Sequence, residues 1–101
     1  MVADSDIKVW LDMIERVNPP VIIPYVQSEY AETLKYRVRV QQQGRSGNTV
    51  IGQAGAVQVL AGIPAALSRV ALTKRGNDMC KIEIILTRNY MKDQYYEFDC
   101  P

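Results

Sequence analysis

Residues 34–41 read Leu-Lys-Tyr-Arg-Val-Arg-Val-Gln, a strict period of two that sends Leu34, Tyr36, Val38 and Val40 to one face and Lys35, Arg37 and Arg39 to the other. That period belongs to a half-buried β-strand. Residues 80–87 repeat it, with Cys80, Ile82, Ile84 and Leu86 inward and Lys81, Glu83, Ile85 and Thr87 outward. Residues 94–99 follow a polar turn around Arg88, Asn89 and Tyr90 and complete a terminal hairpin.

Other segments fit the same class. The apolar run Val21-Ile22-Ile23, continued by Tyr25-Val26, is rich in branched residues but is interrupted by Pro24. Proline lacks the ladder donor, so this strand is expected at an edge or broken there. Residues 41–49 form a turn-bearing loop, two short strands follow at 50–53 and 56–60, and Ala61-Gly62-Ile63-Pro64 turns the chain into a strand over 67–72. Lys74-Arg75-Gly76-Asn77-Asp78 makes the next turn. Near the start, Ile7, Val9, Leu11 and Met13 alternate, while Ile7, Trp10, Leu11, Ile14 and Val17 fit a helical stripe. A strand over 7–11 is expected, with room for a helical turn at 13–16. Seven or eight short strands in about a hundred residues predict an all-β sandwich of two antiparallel sheets.

With 101 residues, 48% of them hydrophobic and 23% charged, the chain has the size and composition of one globular domain. No apolar run approaches the roughly 18 residues that span a bilayer, and the first residues lack the basic, apolar, small-residue order of a signal peptide. A soluble domain without membrane insertion is expected. The two cysteines, Cys80 and Cys100, are compatible with one bridge or with two free thiols.

The chain contains no histidine, which removes the commonest general base and every Ser-His or Cys-His nucleophilic pair. Two cysteines without histidine cannot complete a four-ligand zinc site, and no glycine-rich phosphate cradle is present. The expectation is a protein that is not an enzyme, needs no cofactor or metal, and acts by binding another protein.

The net charge of +1 hides a segregation. Residues 1–32 carry two basic and six acidic groups, residues 33–77 seven basic and no acidic, and residues 78–101 three basic and five acidic. A nucleic-acid surface is disfavoured, because a pI near 7.7 is far from a basic footprint and Tyr36 points away from the basic face. The plain account of Lys35, Arg37 and Arg39 is a solvated face or the protection of a strand edge. The functional account is a stripe of cations spaced roughly 7 Å apart, suited to an acidic chain.

Several motifs together carry a resemblance. They are Val21-Ile22-Ile23-Pro24, Tyr36-Arg37-Val38-Arg39-Val40, Gly44-Arg45-Ser46-Gly47-Asn48, Gln53-Ala54-Gly55-Ala56, Ala61-Gly62-Ile63-Pro64-Ala65-Ala66-Leu67-Ser68 and Cys80-Lys81-Ile82. In order and spacing the chain resembles the CsgC/CsgH family of periplasmic curli-assembly inhibitors, nearest its CsgH branch. The resemblance implies an immunoglobulin-like sandwich without cofactor, a periplasmic monomer, and inhibition of amyloid nucleation by the major curli subunit. It places the family's electrostatic contact at Arg37; strand parity adds Lys35, Arg39 and Lys81 to the expected partner-binding face. The CsgC branch has a Cys-x-Cys pair where Leu34 and Tyr36 stand here, so the mechanism has to work without those thiols. The alternative is an immunoglobulin-like structural or adhesive surface subunit that self-associates.

Overall fold

A computed structural model describes residues 6–44, 47–71, 79–89 and 92–101. Among these the chain forms eight strands: β1 (Ile7–Ile14), β2 (Val21–Ser28), β3 (Glu32–Gly44), β4 (Gly47–Val59), β5 (Ala65–Ala66), β6 (Val70–Ala71), β7 (Met79–Thr87) and β8 (Gln94–Asp99). They make two antiparallel sheets, as the alternation requires. In the first, β2 lies between β1 on one side and the short β5 and β6 on the other. The second runs β4-β3-β7-β8. The turn expected at 74–78, together with Arg45, Ser46, Leu72 and Tyr90, lies outside the described residues.

The inward positions of the two sheets meet in one core. Ile22, Val26, Leu34, Val38, Ile82, Ile84 and Leu86 are all at most 1% exposed. Each such side chain contributes on the order of 1.5–3 kcal/mol by leaving water. Cys80 and Cys100 close a disulfide at the edge of this core, with Cα atoms 5.3 Å apart. The Cys100 amide also donates to the Cys80 carbonyl, which holds the end of β8 against β7.

Five expectations are corrected here. No helical turn forms at 13–16: β1 runs to Ile14, and Ile7, Val9, Leu11 and Met13 face the core while Trp10 stacks on Tyr25 with ring centroids 5.7 Å apart. Pro24 neither breaks its strand nor marks an edge. The Asp6 carbonyl accepts from the Glu29 amide, and counting along the ladder from there puts Pro24 and Leu11 in a non-hydrogen-bonded pair. The proline nitrogen therefore points into the gap between β5 and β6, where its carbonyl accepts from the Leu67 amide at 2.8 Å. Finally, the strands expected at 50–53 and 56–60 are one continuous strand. β4 pairs with β3 without a bulge from Gly47 to Val59, so most of the loop expected at 41–49 is also ladder. The strand expected over 67–72 shrinks to β6 (Val70–Ala71).

Candidate functional site

β3 is an interior strand, flanked by β4 and β7 along its length. Its outward cations consequently protect no edge, and the edge-protection account of them fails. Register converts the strand alternation into rows across the outer face of the second sheet. Lys35 stands between Ala56 and Thr87, Arg37 between Ala54 and Ile85, and Arg39 between Gly52 and Glu83. All three cations are exposed, and among the described residues none of them forms an ion pair.

The cross-strand neighbours of Lys35 and Arg37 are small or uncharged. The two line a shallow hollow of about 270 Å³ with Ala54, Ile85, Thr87 and Asp93. Asp93 is engaged at its rim, where Thr87 Oγ1 donates to Asp93 Oδ1 at 2.8 Å. Arg39 has Glu83 directly across from it. Lys81, the fourth expected residue, lies on the same face but in a different environment. Its Nζ donates to Glu97 Oε1 at 3.1 Å, and that contact raises its pKa above the ordinary lysine value. The structure thus gathers Lys35, Arg37 and Arg39 into one stripe and puts Lys81 in a mixed patch with Glu83, Glu97 and Asp99.

The opposite side of β3 supports the stripe. Tyr36 packs on the core, and its ring passes over Gly55, where a Cβ would stand 2.8 Å from the hydroxyl oxygen. Gly55 is therefore the seat of the ring rather than a break between strands.

An ionic cluster at one end of the sandwich went unread in the sequence. Arg88 Nε and Nη2 donate to the two Glu32 oxygens, each at 2.8 Å, while Nη2 and Nη1 donate to Asp6 at 2.7 and 3.3 Å. The arginine side chain is 8% exposed and each carboxylate 18%. Ser28 Oγ donates to Glu32 at 2.7 Å, so the cluster ties the first sheet to the second. Hydrogen bonding from Arg88 holds the Asp6 carboxyl below its ordinary pKa, and the two carboxylates raise that of Arg88. The signal was present in parity, since Arg88 continues the inward series Cys80, Ile82, Ile84, Leu86 and Glu32 begins that of Leu34 and Val38. Arg88 belongs to the frame of the fold and not to a solvated turn.

Among the described residues no group of three or more carboxylates and cysteines could hold a metal ion, and the hollow is open. No helix among the described residues is long and apolar enough to cross a membrane. What the outer face offers chemically is an array of guanidinium and ammonium donors on a rigid ladder. No protein-family model matches the chain, and no curated protein matches it. Two solved structures share its fold. The E. coli curli protein CsgC is 17% identical, with a TM-score of 0.77 over 91% of this chain and 97% of its own. CsgH of R. palustris is 14% identical, with a TM-score of 0.74 over 92% of this chain and 91% of its own.

Proposed function

We propose that this protein is a chaperone-like inhibitor that keeps a curli-type amyloid subunit from nucleating, acting as a periplasmic monomer without enzymatic activity or cofactor. The single observation that carries the proposal is the column of exposed cations at Lys35, Arg37 and Arg39 on an interior strand, none of them in an ion pair among the described residues. It is joined by the shared fold with a curli protein and with CsgH. Lys81 extends the face at its margin.

The physical account starts from nucleation, in which disordered subunits have to align their backbones edge to edge. A stripe of like charge attracts an acidic, unfolded segment by steering, which needs no deep pocket and tolerates many sequences. Steering of this kind acts on the rate of encounter more than on affinity, so the protein meets its partner often without holding it tightly. Neither thiol takes part, because Cys80 and Cys100 are joined to each other at the core edge.

The test is to add the purified protein, well below equimolar, to a polymerising curli subunit and follow amyloid-dye fluorescence. A lengthened lag supports the proposal, and an unchanged lag removes it. The second reading, a self-associating structural or adhesive subunit, draws on the long uncharged edge of β4. Sedimentation separates the two: a mass that grows with protein concentration favours the subunit, and a constant monomer mass favours the inhibitor.

A further inference from the structure

β4 is the outer strand of its sheet and, among the described residues, is paired on one side only. Its 13 residues, Gly-Asn-Thr-Val-Ile-Gly-Gln-Ala-Gly-Ala-Val-Gln-Val, contain no charge and no proline, and residues 47–56 are all exposed. Folded proteins commonly defend such edges with charges, prolines, bulges or short strands. The other edge of this sheet is defended: β8 has six residues, bears Glu97 and Asp99, and ends at the disulfide. In the first sheet, the edge strand β1 carries Lys8 and Asp12.

The register says which backbone groups are available. Cys100 donates to Cys80, so Cys80 and the alternate residues Ile82, Ile84 and Leu86 direct their ladder groups to β8. Lys81, Glu83, Ile85 and Thr87 then bond to Gln41, Arg39, Arg37 and Lys35, which leaves Leu34, Tyr36, Val38 and Val40 to bond β4. The amides and carbonyls of Val50, Gly52, Ala54, Ala56 and Gln58 therefore point to the open edge. Three of these residues are the small neighbours of the cations: Gly52 of Arg39, Ala54 of Arg37 and Ala56 of Lys35. An added strand would lie about 4.8 Å beyond β4, and its side chains on this face would reach the cations across nothing larger than a methyl group.

We infer that the open edge of β4 receives an extended peptide segment as an additional antiparallel strand, one whose alternate side chains are carboxylates directed at Lys35, Arg37 and Arg39. Backbone bonds supply the register and the stripe supplies the selectivity, the division of labour found in strand-addition recognition. A second copy of this chain is a poorer occupant. Pairing β4 with β4 puts two cation columns on the same face, roughly 14 Å or three strand spacings apart, with no carboxylate between them. The inference rests on the stripe being the partner face and adds the mode of capture.

The probe is a blocked ten-residue peptide alternating Glu and Thr, added to the intact protein, with amide hydrogen exchange read residue by residue. Without peptide, Gly52, Ala54 and Ala56 exchange fast while Gln53 and Gly55 are protected by β3. With saturating peptide the first three slow by about tenfold or more. The effect is expected to vanish for the same peptide N-methylated on its β4-facing amides, and for a Lys-Thr peptide. An Ala54→Pro/Ala56→Pro variant removes two outward N–H groups that no described strand uses, and is also expected to lose the protection. Perturbed Arg37 and Arg39 side-chain signals with no slowing at 52, 54 and 56 would overturn strand addition and leave the stripe as partner face. No response at either would overturn both. Protection of these amides that rises with protein concentration and ignores the peptide would assign the edge to a second copy and overturn the inference.

Discussion

Replacing Arg88 with methionine keeps the length and much of the volume of the side chain but removes the only cation among the described residues that bonds Asp6 and Glu32. Four donor contacts disappear and two carboxylates, each 18% exposed, are left facing one another. Breaking a buried pair by deleting one partner costs about 3–5 kcal/mol. For a domain of this size that is a fall of at least roughly 12 °C in melting temperature. The assay is urea and thermal unfolding at pH 7 and again at pH 3. Asp6 has a lowered pKa in the folded chain, so its stabilising contribution is present above the ordinary carboxylate range and is lost as pH falls through the folded value. Wild-type stability therefore declines below about pH 4. In the variant Asp6 loses the guanidinium that lowers its pKa, so the cluster no longer draws stability from that ionisation and acid costs the variant less than it costs the wild type. The gap between the two proteins therefore narrows as pH falls. Adding Asp6→Asn and Glu32→Gln to the variant removes the stranded charge and recovers much of the loss. A deficit under about 1 kcal/mol at pH 7, or a gap that stays constant down to pH 3, would show that the Arg88 cluster does not stabilise the fold.

Replacing Cys80 and Cys100 with alanine is expected to cost about 2–5 kcal/mol in urea unfolding and to leave inhibition of the curli subunit intact at temperatures where the variant is folded. Lost inhibition in the folded variant would implicate the sulfurs. Gly55→Ala places a methyl group against the Tyr36 ring and is expected to lower stability by about 1–3 kcal/mol, a loss that the second change Tyr36→Val reduces in a double-mutant cycle.

The strands with one wet and one dry face were legible because burial itself enforces a period of two. That holds for β3 and β7, and for β1, where Val9 and Met13 decided between strand and helix by facing the core. The division of β4 into two strands follows from reading Gly55 as punctuation, whereas the reason for that glycine lies on the neighbouring strand, in the Tyr36 ring. Pro24 was misread for a related reason. The sequence announces the missing donor but not that the two partners of β2 on that side, β5 and β6, stop short of it. Of the expected site, Lys35, Arg37 and Arg39 followed from parity on one strand, but the pairing of Lys81 with Glu97 required the β7–β8 register. The Arg88 cluster joins residues up to 82 positions apart, a separation that no local pattern reports.

If the cations of β3 meet the amyloid subunit, charge reversal at constant fold removes the inhibition. Lys35→Glu, Arg37→Glu and Arg39→Glu together change exposed side chains on an intact ladder, each expected to shift stability by no more than about 0.5 kcal/mol. The control reverses the exposed cations Lys8, Arg16 and Lys92, an equal change in net charge at positions outside β3. Lag time of a polymerising curli subunit is measured for each protein at a dose well below equimolar, in low salt and near 1 M salt, where screening shortens to about 3 Å. Every condition carries its own inhibitor-free reference. The account predicts a lag restored to that reference by the stripe variant, retained inhibition by the control, and wild-type inhibition that fades as salt rises. Full inhibition by a folded stripe variant, with the control impaired, would contradict it.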